Sequence, residues 1–272
     1  MDLAPRTRSL AARAAALTVA LGVSLGAAST ASATTVTDSR GVVKASFTYV
    51  QSKDKLTTSL KRLEIERDGA LVLSDDLRKF KGSAPGGFKD QPSLKVSDLD
   101  GDGEPEVLLT LFTGGAHCCV TAEVYSYRAA TTSYKPVETN FGSAGFHLRN
   151  LDRKGVLEFQ TVDPAFEDAY TSHVESRSPI QILRQRKGKL VDVTRSFPAL
   201  VRRDLAALRK AYPRYRKDKA NARGVLASIA AEQIVLGQRR GLAATYDRAA
   251  KAYGAKFVRS LKRFLRRTGY RS

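Results

Sequence analysis

Near Pro198 the spacing of apolar residues changes, and no single regular structure satisfies both sides of that change. Before it, β-branched and aromatic residues recur in short runs broken by turn signals, as over residues 42–65. Asp68-Gly69 sits between LEIER and ALVL, and Lys187-Gly188 between IQILRQR and KLVDV, so both pairs read as hairpin turns. VLLTLF follows Glu106. After Gly114-Gly115 comes CVTAEVYSY, where Val120, Ala122 and Val124 alternate with polar neighbours as in a half-buried strand.

Beyond Pro198 the apolar residues fall at helical spacing: Leu200, Val201, Leu205 and Leu208; Leu226, Ile229, Ala230 and Ile234; Phe257, Val258, Leu261, Phe264 and Leu265. With Pro213, Gly237, Gly241 and Gly254 as punctuation, the pattern predicts four short helices, about 199–211, 221–236, 241–252 and 255–268. The expected fold class is α+β. A mostly antiparallel β domain, propeller-blade-like or a sandwich, covers 34–197, and a small helical region covers 198–272.

The N-terminus carries Arg6, Arg8 and Arg13, an uncharged apolar run from Ala14 to Ala28, and the small residues Ala31-Ser32-Ala33. That order is a secretory signal peptide over 1–33, with the mature chain beginning near Thr34. The apolar run is too short to span a bilayer. The expected location is secreted, extracellular or cell-surface associated.

The net charge of +19 is unevenly placed. From Val201 to Ser272 there are 20 lysines and arginines against four acids, a net +16, which leaves about +1 on residues 34–200. On the last helix Arg259, Lys262, Arg263, Arg266 and Arg267 form a stripe opposite the apolar one. An exported chain meets anionic envelope polymers or lipid surfaces, and export argues against nucleic acid as its partner. The alternative is solubility, with long cationic stems covering a helical core.

The most informative stretch is DLDGDGEPE, Asp98 to Glu106. Asp98, Asp100 and Asp102 crowd negative charge into one turn, the Glu104 carbonyl would add an oxygen and Glu106 a carboxylate. Such an oxygen-only shell suits Ca2+ rather than zinc. The loop is not an EF-hand, because position 12 is Leu109. DLDGDGEPEVLL resembles the loop and following strand of FG-GAP and VCBS repeats, the units of integrin-type extracellular propellers. In NLDRKGVLEF, preceded by Phe141-Gly142, residues Asn150, Asp152, Gly155 and Glu158 match Asp98, Asp100, Gly103 and Glu106. Lys154 replaces the acid at position 5, so this second loop is expected to be metal-free. The resemblance implies propeller-type architecture and an extracellular binding role.

Cys118 and Cys119 are the only cysteines, so the sole intramolecular disulfide open to an exported chain is the adjacent pair. Two free thiols, or a redox or metal centre with His117, are the other readings. For catalysis, no GxSxG, HExxH, GxGxxG or phosphate-loop motif is present. Asp163, Glu167, Asp168 and His173 in DPAFEDAYTSH are the best acid and histidine cluster. The function these features predict is a secreted, non-catalytic calcium-binding module attached to an anionic surface. The alternative is an extracellular hydrolase with a structural calcium, its site drawn from that cluster.

Overall fold

A computed structural model describes residues 33–51, 58–87, 91–115, 118–217 and 222–271, apart from the side chains of Lys61 and Cys118. The expected signal peptide, except Ala33, lies outside these residues, as do His117 and the side chain of Cys118.

The chain is α+β, with three antiparallel sheets followed by helices. The first sheet is the meander β1 (Ala33–Arg40), β2 (Val43–Gln51), β3 (Thr58–Arg67) and β4 (Ala70–Asp75). In the second, β6 (Leu94–Ser97), β7 (Glu106–Gly115), β8 (Cys118–Arg128) and β9 (Ser133–Asn140) pair in chain order, and the short β5 (Ala84–Pro85) also joins β7. The third repeats the order with β10 (His147–Arg149), β11 (Glu158–Val162), β12 (Ile180–Arg186) and β13 (Lys189–Asp192). Both predicted hairpins form: β3 turns into β4 at Asp68-Gly69, and β12 into β13 at Lys187-Gly188, all four residues at positive φ.

The sheets pack face to face. Val107, Leu109, Leu111 and Tyr125 of the second sheet share a core with Phe47, Leu63 and Ile65 of the first. Leu108, Val120, Ala122 and Val124 share another with Phe159 and Leu183 of the third. This overturns the half-buried reading of β8, because Thr121, Glu123, Tyr125 and Ser126 are buried as well as Val120, Ala122 and Val124. A strand between two sheets has no wet face. Its one buried charge is compensated, since Glu123 pairs with Lys79 and accepts a hydrogen bond from the Tyr125 hydroxyl (2.7 Å).

The helices are α1 (Pro198–Arg216), α2 (Ala222–Val235) and α3 (Arg239–Arg267). Helix α1 runs through Pro213, where the sequence suggested a stop. Tyr212 and Tyr215 are buried on either side of the proline, and their packing offsets the lost backbone hydrogen bond. The third and fourth predicted helices are the two halves of α3, broken at Gly254 (φ 81°, ψ 167°), a conformation that side chains disfavour. Helix α2 is buried around its whole circumference between α1, α3 and the third sheet. Glu232 on α2 accepts a hydrogen bond from the Ile180 amide (2.9 Å) of β12. Burial, and then the hydrogen bond and charge of Asp204 on α1, push the Glu232 carboxyl up to about 9.

Candidate metal site

The DLDGDGEPE stretch is the connection from β6 to β7, and its fold follows from its own side chains. Asp98 accepts hydrogen bonds from the amides of Gly101 (2.7 Å) and Gly103 (3.1 Å), and Asp102 from that of Glu104 (2.8 Å). Gly101 and Gly103 take φ of 83° and 90°, which lets the backbone double back. At the strand entry Glu106, only 3% exposed, accepts the Leu99 amide (2.8 Å).

The result gathers three of the five predicted ligands. Carboxylate oxygens of Asp98, Asp100 and Glu106 lie within 4.8 Å of one another. Calcium binds oxygens at about 2.3–2.6 Å, so ligands flanking one ion stand up to about 5 Å apart, and the group fits. Asp102 is outside this group, its carboxylate turned to the Glu104 amide. The Glu104 side chain is also outside the group and pairs with Arg67 of β3. Burial, opposed by the Leu99 amide and reinforced by the charges of Asp100, Asp102 and Asp98, pushes Glu106 up to about 8. Burial and then Asp102 raise Asp100, although the Lys187 backbone amide bonds to it. Among the described residues no basic side chain pairs with Asp98, Asp100 or Glu106.

The second loop, joining β10 to β11, is built to the same plan. Leu151 donates to Glu158 at 2.8 Å, as Leu99 does to Glu106, and Gly155 to Asn150 (3.4 Å). Arg149 faces Glu158 across the ladder, as Ser97 faces Glu106. What differs is the compensation. Arg184 of β12 donates to Asp152 (2.7 Å) and to Glu158, which is fully buried. The sequence pointed to Lys154 as the cation of this loop, but its backbone, bonded to Asp152 (3.0 Å), shapes the turn while the Arg184 guanidinium lies between the acids.

The acid and histidine cluster does not converge. Asp163 caps the turn at the Ala165 amide (2.9 Å) and accepts the Tyr270 hydroxyl (3.0 Å). Glu167 accepts from the amide (3.0 Å) and hydroxyl (2.8 Å) of Ser143. Only Asp168 and His173 meet, at 3.1 Å, in an exposed turn. Cys119 is buried and its amide donates to the Thr113 hydroxyl (2.8 Å). On α3, Arg259, Lys262, Arg263, Arg266 and Arg267 are all exposed, while Phe257, Leu261, Phe264 and Leu265 are buried. The two stripes therefore coexist on one helix.

The chain is 29% identical over 149 residues to a probable thylakoid lumen protein of Synechocystis, an alignment covering 53% of this chain and 44% of that one. It is 24% identical over 147 residues to an uncharacterized protein of Sinorhizobium fredii, covering 53% of this chain and 22% of that one. The chain thus spans less than half the length of either relative. No family model matches it, and no solved structure does.

Proposed function

We propose that this chain is an exported, non-catalytic calcium-binding protein whose helical end holds it on an anionic surface outside the cytoplasm. One contrast carries the calcium reading. Two loops share a backbone plan and a buried glutamate; in one the Arg184 guanidinium neutralises Glu158, and in the other no basic side chain among the described residues pairs with Glu106. A buried, uncompensated carboxylate beside two more is costly, and a hard cation with oxygen ligands removes the cost. The oxygen-only donor set favours calcium over a thiolate- or imidazole-seeking metal.

Export rests on the order of features in residues 1–33, and the similarity to a protein named for the thylakoid lumen, a compartment beyond a membrane, supports it. The exposed cationic stripe of α3 supports the surface role. The hydrogen bonds that tie Asp163 and Glu167 to the fold support a non-catalytic reading over a hydrolase.

The direct test is a calorimetric titration of the mature chain, starting at Thr34, with calcium after exhaustive chelation. One saturable site is expected, and the Asp98→Asn/Asp100→Asn variant should lack it. Binding unchanged in that variant rejects the assignment.

A further inference from the structure

We propose that the helical end also carries a discrete binding site for a phosphate-type oxyanion, in the cleft where α1, α2 and α3 meet; this goes beyond surface attachment and uses none of the stripe residues. The cleft measures about 340 Å³, its polar lining is Arg209, Tyr212, Gln233, Thr245 and Arg248, and Gly241 also lines it. No acid lines it. Two helices supply one guanidinium each. Arg248 lies over the Tyr212 ring (5.6 Å), and Arg209 reaches the Gln238 side chain (3.5 Å). Among the described residues neither arginine has a carboxylate partner.

Gln233 is the decisive group. It is 2% exposed, and its Oε1 accepts the Thr245 hydroxyl (2.9 Å), which leaves the Nε2 amide group without a partner among the described residues. Gly241 covers that nitrogen with nothing: a Cβ there would stand 2.9 Å from Nε2. Gly241 also lies in the first turn of α3, whose start has no side-chain cap. The Arg239 amide is taken by the Gly237 carbonyl (3.0 Å), so the Gly241 amide and the positive end of the helix dipole are what this turn adds to the cleft. The cleft therefore offers N–H groups and two full positive charges.

That inventory selects the ligand class. A carboxylate would leave one guanidinium unneutralised, whereas a phosphate monoester carries close to two charges and three acceptor oxygens. The source is either a small organic phosphate or the phosphomonoester headgroup of a lipid, and the chemistry recognised is the same.

The experiment measures thermal shift and calorimetric binding of the mature chain with inorganic phosphate, then glycerol phosphate, against chloride at matched ionic strength. Saturable binding of one phosphate is expected. Arg209→Gln/Arg248→Gln should weaken it by about tenfold or more, the scale of charge-assisted hydrogen bonds. Gly241→Ala should weaken it too while leaving the helix intact, so that loss cannot be ascribed to unfolding. The variant with the five α3 stripe residues changed to Glu should bind phosphate like the parent, which separates this site from surface attachment. Vesicles of phosphatidic acid compared with phosphatidylglycerol identify the source: retention that needs Gly241 points to a headgroup, and binding of glycerol phosphate alone points to a free ligand. Equal responses to phosphate and chloride, or phosphate binding unchanged in both cleft variants, overturn the proposal.

Discussion

Replacing Asp98 and Asp100 by Asn should reverse sign with calcium. Without the ion, Asp98, Asp100 and Glu106 crowd their carboxylates within 4.8 Å, and Glu106 has almost no solvent to screen it. Asn at both positions removes that repulsion and keeps the oxygen that accepts the Asp102 amide; at position 98 it keeps one of the two oxygens that accept from Gly101 and Gly103 and gives up the other. Relief among three crowded carboxylates outweighs one exposed hydrogen bond, so the double variant should melt at or above the parent in chelator. With calcium at a hundred times its dissociation constant, mass action stabilises the parent by about 2.7 kcal/mol. For a chain of this size that is roughly 5–11 °C, at about 2–4 °C per kcal/mol. The variant should show none of it, so the two melting curves cross as calcium is added. Differential scanning calorimetry in chelator and in a calcium series reads both effects. A calcium shift that survives in the variant, or a parent whose melting ignores calcium, refutes the reasoning.

Arg184→Met should cost about 3 kcal/mol in urea unfolding, because it strands the fully buried Glu158, and adding Glu158→Gln should recover most of the loss. Glu232 titrates near 9 in the fold and near 4.5 when unfolded, so its neutral form contributes stability fully below pH 4.5 that is lost as pH rises toward 9. Glu232→Gln should flatten that decline in melting temperature between pH 6 and 9; an unchanged slope would discount the Asp204–Glu232 pair. Changing Arg259, Lys262, Arg263, Arg266 and Arg267 to Glu should abolish retention on anionic liposomes, and parent retention should fall steeply with salt, given screening over about 8 Å.

Local chemistry was readable in this sequence, and distant compensation was not. The hairpins at Asp68 and Lys187 and the calcium-type loop are set by adjacent residues, and each forms where its spacing places it. Helix α3 breaks at Gly254 for the same reason. The alternation in β8 misled because wetness depends on what packs on each face, and a second sheet covers the polar one. The near-continuous apolar run of α2 was the available sign of burial all round, which a one-face reading passes over. Arg184 could not be found from spacing: it stands 26 residues from Glu158 and meets it only through the β11–β12 register. Arg67 and the Lys187 amide reach the calcium-type loop in the same nonlocal way.

Those nonlocal contacts make a last prediction about what an ion at the first loop would stiffen. Arg184 belongs to the third sheet, as does Glu158, so the second loop is compensated within one sheet. The first loop springs from the second sheet but is held by Arg67 of the first through Glu104 and by the Lys187 amide of the third through Asp100. Val156 of the second loop also packs close to Gly101, within 2.8 Å of where a Cβ would stand. An ion that fixes Asp98, Asp100 and Glu106 therefore fixes the point where three sheets are tied together. Calcium should slow amide hydrogen exchange at Leu99, Gly101 and Gly103, and also at Lys187 in the β12–β13 turn, with little change at Leu151 and Gly155 or along α3. Protection confined to residues 98–106 would mean that the ion orders its own loop alone. Protection spread evenly over the chain would reflect global stabilisation and would argue against a joint between sheets.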